Sequence, residues 1–226
     1  TQIANEFKNY DEHLLFAGLN EPDVSNQKQT DALLKYEQAF VDAVRATGGN
    51  NETRTLIVQG PSTDIDKTLN YFSAMPTDAV ANRLMVEVHY YSPSQFTGVW
   101  ENGKPYYFWG AANHVPSGSY KNYNSTWGEE SYLSAQFNKM KAKFADKGIP
   151  VLLGEFGANW RSIGNTIAQK KHDASIKLFN KLVVQNAINC GMVPFVWDIN
   201  VANQNKTNGI MTVINRGNCS VFCTPA

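Results

Sequence analysis

The sequence predicts an α/β fold built on a parallel sheet, and three observations carry that expectation. Five apolar runs recur along the 226 residues, polar sequence follows each run, and segments of helical period lie between several of them. Strands buried on both faces read as unbroken apolar runs, and strands alternating with helices call for parallel pairing. Two of the runs, moreover, lead into a glutamate: Glu21 after 14–19 and Glu155 after 150–154. A carboxylate at the C-terminal tip of a parallel strand sits where such sheets and barrels gather their chemistry.

The first strand is expected over 14–19 and the second over 55–59. Between them Leu33, Tyr36, Phe40 and Val44 recur at helical steps over about 30–46, and Gly48 and Gly49 supply the stop. The third strand spans 84–91. The stretch 92–128 that follows is rich in Gly, Pro, Ser, Asn and aromatics, has no helical period, and is far longer than an ordinary βα connection; loops of that length are usually functional. A helix is predicted over 129–147, where Leu133, Phe137, Met140 and Phe144 fall at steps of four and three before Gly148 and Pro150. The fourth strand comes at 150–154. A helix over about 168–189, carrying Ile176, Phe179 and Val183, stops before Gly191, and the fifth strand spans 192–197. No repeat, heptad or shift in composition marks a second domain.

Lys and Arg balance Asp and Glu at 20 each, so the chain carries no basic field for nucleic acid or anionic membrane; a neutral ligand is the natural partner. Carbohydrate fits that balance and the aromatic content of 12%. No apolar stretch approaches the roughly 20 residues that span a bilayer. The chain opens at Thr1 without a leader pattern and reads as a piece of something larger. Cys219 and Cys223 lie close enough in sequence for a small clip, which leaves Cys190 as a buried thiol. Asn51, Asn124, Asn205 and Asn218 each open an Asn-x-Ser/Thr sequon, permissive of secretion.

Period-two alternation groups Glu155 with Leu153 and Val151, His89 and Tyr91 with Glu87 and Met85, and Trp197 with Phe195 and Val193. If the sheet curls into a barrel and these faces point inward, Glu21, His89, Tyr91, Glu155 and Trp197 gather at one mouth. A glycosidic bond needs an acid to protonate its leaving oxygen and a second carboxylate that attacks carbon or activates water. Alone, either glutamate is most simply a solvated side chain, His89 a hydrogen-bonded core residue and Tyr91 or Trp197 packing; together they read as a catalytic pair with its support. Trp100, Trp109, Trp127 and Trp160 fall in loop-like sequence, where an indole either stacks on a sugar or packs its loop. Trp109 and Trp160 are taken as sugar-binding candidates. Glu21, His89, Glu155 and Asp198 are all metal-ligand types, but no His-x-His or His-x-x-x-His pair accompanies them, so neither a metal nor another cofactor is expected.

The segments 19–22, 89–91, 154–157 and 196–197, together with 106–110 and 124–130, resemble the active-site strands and loops of glycoside hydrolase family five, most closely its gut and rumen endo-β-1,4-glucanases. The resemblance implies a (β/α)8 TIM barrel and a retaining double displacement: Glu21 as acid/base, Glu155 as nucleophile, Asn20 on the sugar 2-hydroxyl, His89 and Tyr91 orienting the site, and Trp197 flooring the subsite of the attacked sugar. An anionic Glu155 would hold a proton on Glu21, and ester formation would release it. The family's Asn-Glu-Pro motif ends the fourth of eight strands, so residues 1–226 correspond to a single, incomplete catalytic domain of strands four to eight. The inward-facing Glu87 then needs a partner, expected in the missing part. Exposed strand edges predict association with a second copy or with a separate N-terminal piece. The resemblance points to a secreted, extracellular enzyme acting on β-glucan polysaccharide, and the rival reading is a non-catalytic β-glucan-binding or assembly remnant.

Overall fold

The computed structural model describes residues 1–98, 103–197 and the backbone of 208–209. The chain divides into two compact units: Thr1–His89 with Asn138–Leu153 and Cys190–Val193, and Tyr90–Phe137 with Gly154–Asn189 and the chain from Pro194 on.

In the first unit a short helix α1 (Gln2–Glu6) precedes β1 (Phe16–Ala17), and α2 (Gln27–Arg45) begins at Asn26, whose side chain accepts from the Gln29 N–H as an N-cap. Gly48 and Gly49, at φ 69° and 61°, turn the chain out of α2 as expected. Then come β2 (Leu56–Gln59), α3 (Ile65–Tyr71) and β3 (Leu84–Tyr90). With β4 (Val151–Phe156) and β6 (Met192–Pro194) they form a five-stranded sheet in the order β1-β2-β3-β4-β6. The pairings β1–β2 and β2–β3 are parallel, with Phe16 opposite Leu56 and Ile57 opposite Met85. The predicted alternation of strands and helices therefore yields the parallel sheet it called for. The first strand is shorter than the expected 14–19: it lies at the end of the strand order, and Leu15 and Leu19 are exposed.

Two readings of facing are corrected. The buried stripe of α2 is Thr30, Leu33, Glu37, Val41 and Val44, whereas Tyr36 of the predicted stripe is 71% exposed. The phase is turned because the polar Glu37, not an apolar residue, lies at its centre: its carboxylate accepts from the Gln59 N–H at the end of β2. On β4 the residue that packs with Ile57 and Met85 is Leu152. Val151 and Leu153 thus occupy the opposite face, in agreement with the Val86 N–H donating to Pro150 O. Strict alternation consequently fails to place Glu155.

The segment 7–14 that leads into β1 is pinned by Arg54, 2% exposed. Its guanidinium donates to the carbonyls of Phe7, Tyr10, Asp11 and Leu14 and to Asn51 Oδ1, and lies 5.0 Å from the Phe16 ring centre. Asn51 is fully buried, donating to Ala4 O and the Thr47 hydroxyl, so its sequon is not a surface acceptor. Cys190 is a free, buried thiol. Cys219, Cys223, Asn205 and Asn218 lie outside the described residues.

The second unit is organised by aromatics. Among its described residues the loop 92–128 contains a short helix α4 (Ser94–Thr97) and two 3-10 turns; α5 (Glu130–Lys143), whose residues from Asn138 on belong to the first unit, and α6 (Thr166–Asn189) follow, with the antiparallel pair β5 (Trp160–Arg161) and β7 (Asn208–Gly209). Leu133, Phe137, Met140 and Phe144 are all buried, as the periodicity of 129–147 required, and so are Ile176, Phe179 and Val183 of α6. Phe96 packs against Trp109, Phe179 and the ring of His172. His172 is fully buried: Nδ1 lies 2.7 Å from Tyr107 O and Nε2 accepts from the Arg161 N–H. Burial pushes this imidazole down to about 4. The unfolded chain binds the proton near 6.5, so the stabilisation is complete above pH 6.5 and is lost as pH falls towards 4, a swing on the order of 3 kcal/mol. Between about pH 7.5 and 4 the urea midpoint of the natural chain should fall relative to that of His172→Gln, a difference that isolates His172 from the opposing contribution of the buried Glu37 carboxyl. Among the described residues no helix is long and apolar enough to cross a membrane.

Candidate active site

The loop after β1 carries Glu21 with φ 45°, a left-handed conformation uncommon for a non-glycine residue. It is held from the turn after β2, where Ser62 and Thr63 are left-handed as well. The Ser62 N–H donates to Pro22 O at 2.9 Å, and its hydroxyl donates to Val24 O at 3.0 Å. That turn itself needs Gly60, because a Cβ there would come within 2.0 Å of the Thr68 hydroxyl oxygen. Strained backbone that surrounding bonds hold in place is a recurrent property of functional sites.

The Glu21 side chain is 40% exposed, and its Oε1 lies 2.8 Å from Nδ1 of the buried His89. On the other side of the ring, Nε2 lies 3.2 Å from Glu87 Oε1. Glu87 Oε2 accepts from Gln59 Nε2 at 2.9 Å. The partner expected for Glu87 in the missing part is therefore corrected: His89 and Gln59 supply it from within the chain. Gln59 was missed, although a polar residue closing an apolar strand was the available signal. Behind it, Glu37 is buried, and desolvation pushes its carboxyl up to about 7, with the Glu87 charge adding to the rise and the Gln59 N–H opposing it.

In the second unit the Tyr91 hydroxyl donates to Glu155 Oε2 at 2.9 Å, so Glu155 at the tip of β4 has one oxygen held by a phenol. The Trp197 N–H donates to Phe156 O at 3.0 Å, and its indole is 36% exposed. Asn20 is exposed beside Glu21. Trp160 is half-buried, its indole N–H donating to Asp173. The assignment of Trp109 to sugar binding is overturned: it is fully buried, stacks near Phe96, and its indole N–H donates to Gly128 O, so it packs the loop. Trp127 is 40% exposed. Trp100 and Asp198 lie outside the described residues.

In the first unit a carboxylate in the loop after β1 thus lies against an imidazole, and in the second unit a carboxylate near the end of β4 lies against a phenol. The model of the cellulases, glycosyl hydrolase family 5, matches residues 1–203. The chain belongs to that family. Endoglucanase A of Paenibacillus barcinonensis is 38% identical over 211 residues, covering 87% of this chain and 50% of the relative. The xyloglucan-specific endo-β-1,4-glucanase BoGH5A of Bacteroides ovatus is 35% identical, with 87% and 39% covered. Among solved structures, XEG5B, a xyloglucan-specific β-1,4-glucanase from a ruminal metagenomic library in complex with XXLG, superposes with a TM-score of 0.80 at 50% identity, covering 88% of this chain and 52% of that one. This family 5 chain thus spans between about two fifths and one half of the length of these relatives.

Proposed function

We propose that this chain is the strand-four-to-eight part of a (β/α)8 glycoside hydrolase that cleaves internal β-1,4-glucosidic bonds with retention, Glu21 as acid/base and Glu155 as nucleophile. The observation that carries the reading is the anchoring of Glu21 on His89 and of Glu155 on Tyr91, within a family match that runs from residue 1 to 203.

In the first step Glu21 protonates the leaving glycosidic oxygen while Glu155 attacks the anomeric carbon. The Tyr91 hydroxyl donates to Oε2 of Glu155, which keeps the carboxylate aimed. Forming the ester consumes the Glu155 charge; Glu21, now ionised, takes a proton from water, which attacks the ester and restores both groups. Asn20, beside Glu21, bonds the sugar 2-hydroxyl. Trp197 presents an indole face to the attacked sugar, and Trp160 is a further contact. On this reading the exposed Val193, Phe195 and Val196 lie where the three βα units that complete the barrel would pack. A polymeric substrate places the enzyme outside the cell.

The relatives support a narrower reading of the glucan. The 50% identity to a xyloglucan-specific structure favours xyloglucan beside unbranched cellulose as substrate. Reducing-end release should be compared on xyloglucan and carboxymethylcellulose. Release from both, faster on xyloglucan, is expected. Binding of both without release would instead identify the chain as a non-catalytic glucan-binding remnant.

A further inference from the structure

We propose that Glu87, steadied by Gln59, is a positioning residue that fixes the tautomer of His89, so that Nε2 carries the ring hydrogen and Nδ1 turns a lone pair to Glu21. The purpose of this arrangement rests on the reading of Glu21 as proton donor, but its geometry does not.

The four side chains form one line in the first unit: Gln59 Nε2 at 2.9 Å from Glu87 Oε2, Glu87 Oε1 at 3.2 Å from His89 Nε2, and His89 Nδ1 at 2.8 Å from Glu21 Oε1. Gln59, Glu87 and His89 are 1%, 8% and 7% exposed, so water competes little for these bonds. Direction along the line is set at its inner end. Gln59 can face a carboxylate only with its amide nitrogen, because its carbonyl oxygen would repel it. The main chain at this residue is anchored as well, since the Gln59 backbone N–H donates to Glu37 Oε1 at 2.8 Å. An ionised Glu87 only accepts, and the atom facing its remaining oxygen is Nε2, which must therefore donate. The tautomer of an imidazole is set by the hydrogen bond that its far nitrogen makes.

With the hydrogen on Nε2, the neutral ring meets Glu21 with an acceptor. A protonated Glu21 then donates its O–H to Nδ1 while it waits for substrate, and that bond fixes the rotamer from which the proton is delivered. The opposite tautomer would offer Nδ1–H, which favours the Glu21 carboxylate and removes the acid. Glu87 thus acts through His89 and touches no substrate.

The test is a long-range proton–nitrogen correlation spectrum of the full chain with 15N-labelled imidazoles, at neutral pH. Only four histidines contribute, and His89→Asn assigns the signal. His172 is an internal reference for the opposite tautomer, because its Nε2 accepts from the Arg161 N–H while Nδ1 faces Tyr107 O. The expected result is Nε2–H for His89 in the natural chain. In Glu87→Gln, whose amide can donate as well as accept, that fixed signature should be lost while the His172 signal persists. Hydrogen on Nδ1 of His89 in the natural chain, alone or together with Nε2, overturns the proposal. An unchanged Nε2–H signature in Glu87→Gln overturns it too. If Glu87→Gln loses the His172 signal through unfolding, Glu87→Asp, which withdraws the carboxylate by one methylene, replaces it with the same two outcomes. None of these spectra depends on turnover, so an inactive chain would count against the proposed function without deciding the tautomer.

Discussion

On the proposed mechanism Glu155→Gln should lower glucan turnover by a factor on the order of 10⁴ or more while glucan affinity stays within about threefold of the natural chain. The amide has the shape of the carboxylate and still accepts from the Tyr91 hydroxyl, so the tip of β4 keeps its bond and the stability of the chain should be unchanged. On the proposed mechanism what disappears is the nucleophile, because a neutral amide oxygen cannot form the glycosyl ester on which a retaining route depends. The measurement is reducing-end release beside isothermal titration with a cello- or xyloglucan oligosaccharide. Residual turnover within tenfold of the natural chain would mean that another group attacks.

Arg54→Ala destabilises the chain by about 3–5 kcal/mol, read as a fall in the urea midpoint. Arg54 makes five hydrogen bonds from a buried position, four of them to backbone carbonyls between Phe7 and Leu14. Removing the guanidinium strands those carbonyls and opens a cavity beside Phe16. Lysine should recover only part of the loss, since three donors on a compact ammonium cannot reproduce a planar fork. The effect passes beyond stability. The segment pinned by Arg54 leads into β1 and then into Glu21, so glucan turnover should decline in Arg54→Lys even where the chain remains folded. A loss below about 1 kcal/mol in Arg54→Ala would show that the 7–14 segment is held by other means.

Much of this was legible in the sequence because apolar pattern decides burial. The runs at 55–59, 84–91 and 150–154 became β2, β3 and β4, and the stripe Leu133, Phe137, Met140, Phe144 is buried as its spacing required. The pattern misled where a polar side chain does the work of an apolar one. Glu37 sits at the centre of the buried face of α2 because it accepts the Gln59 N–H, and an apolar count therefore chose Tyr36 instead. Trp109 shows the converse: an aromatic in a polar loop looked like a sugar platform, but the loop folds its own core around Phe96 and Phe179. Glu87 exposed a third limit. Parity sends it inward beside His89, yet its partner Gln59 becomes apparent only through strand register, with Gln59 opposite Glu87 across β2 and β3.

The most direct test of the account is to incubate the chain with a 2-deoxy-2-fluoro cello-oligosaccharyl fluoride and measure its intact mass. The fluorine slows both displacement steps and the good leaving group restores the first, so a retaining nucleophile accumulates as its ester. The account predicts one fluoroglycosyl unit per chain, located by peptide mapping on Glu155 and absent in Glu155→Gln. An unmodified chain, or a label on any other residue, would contradict it.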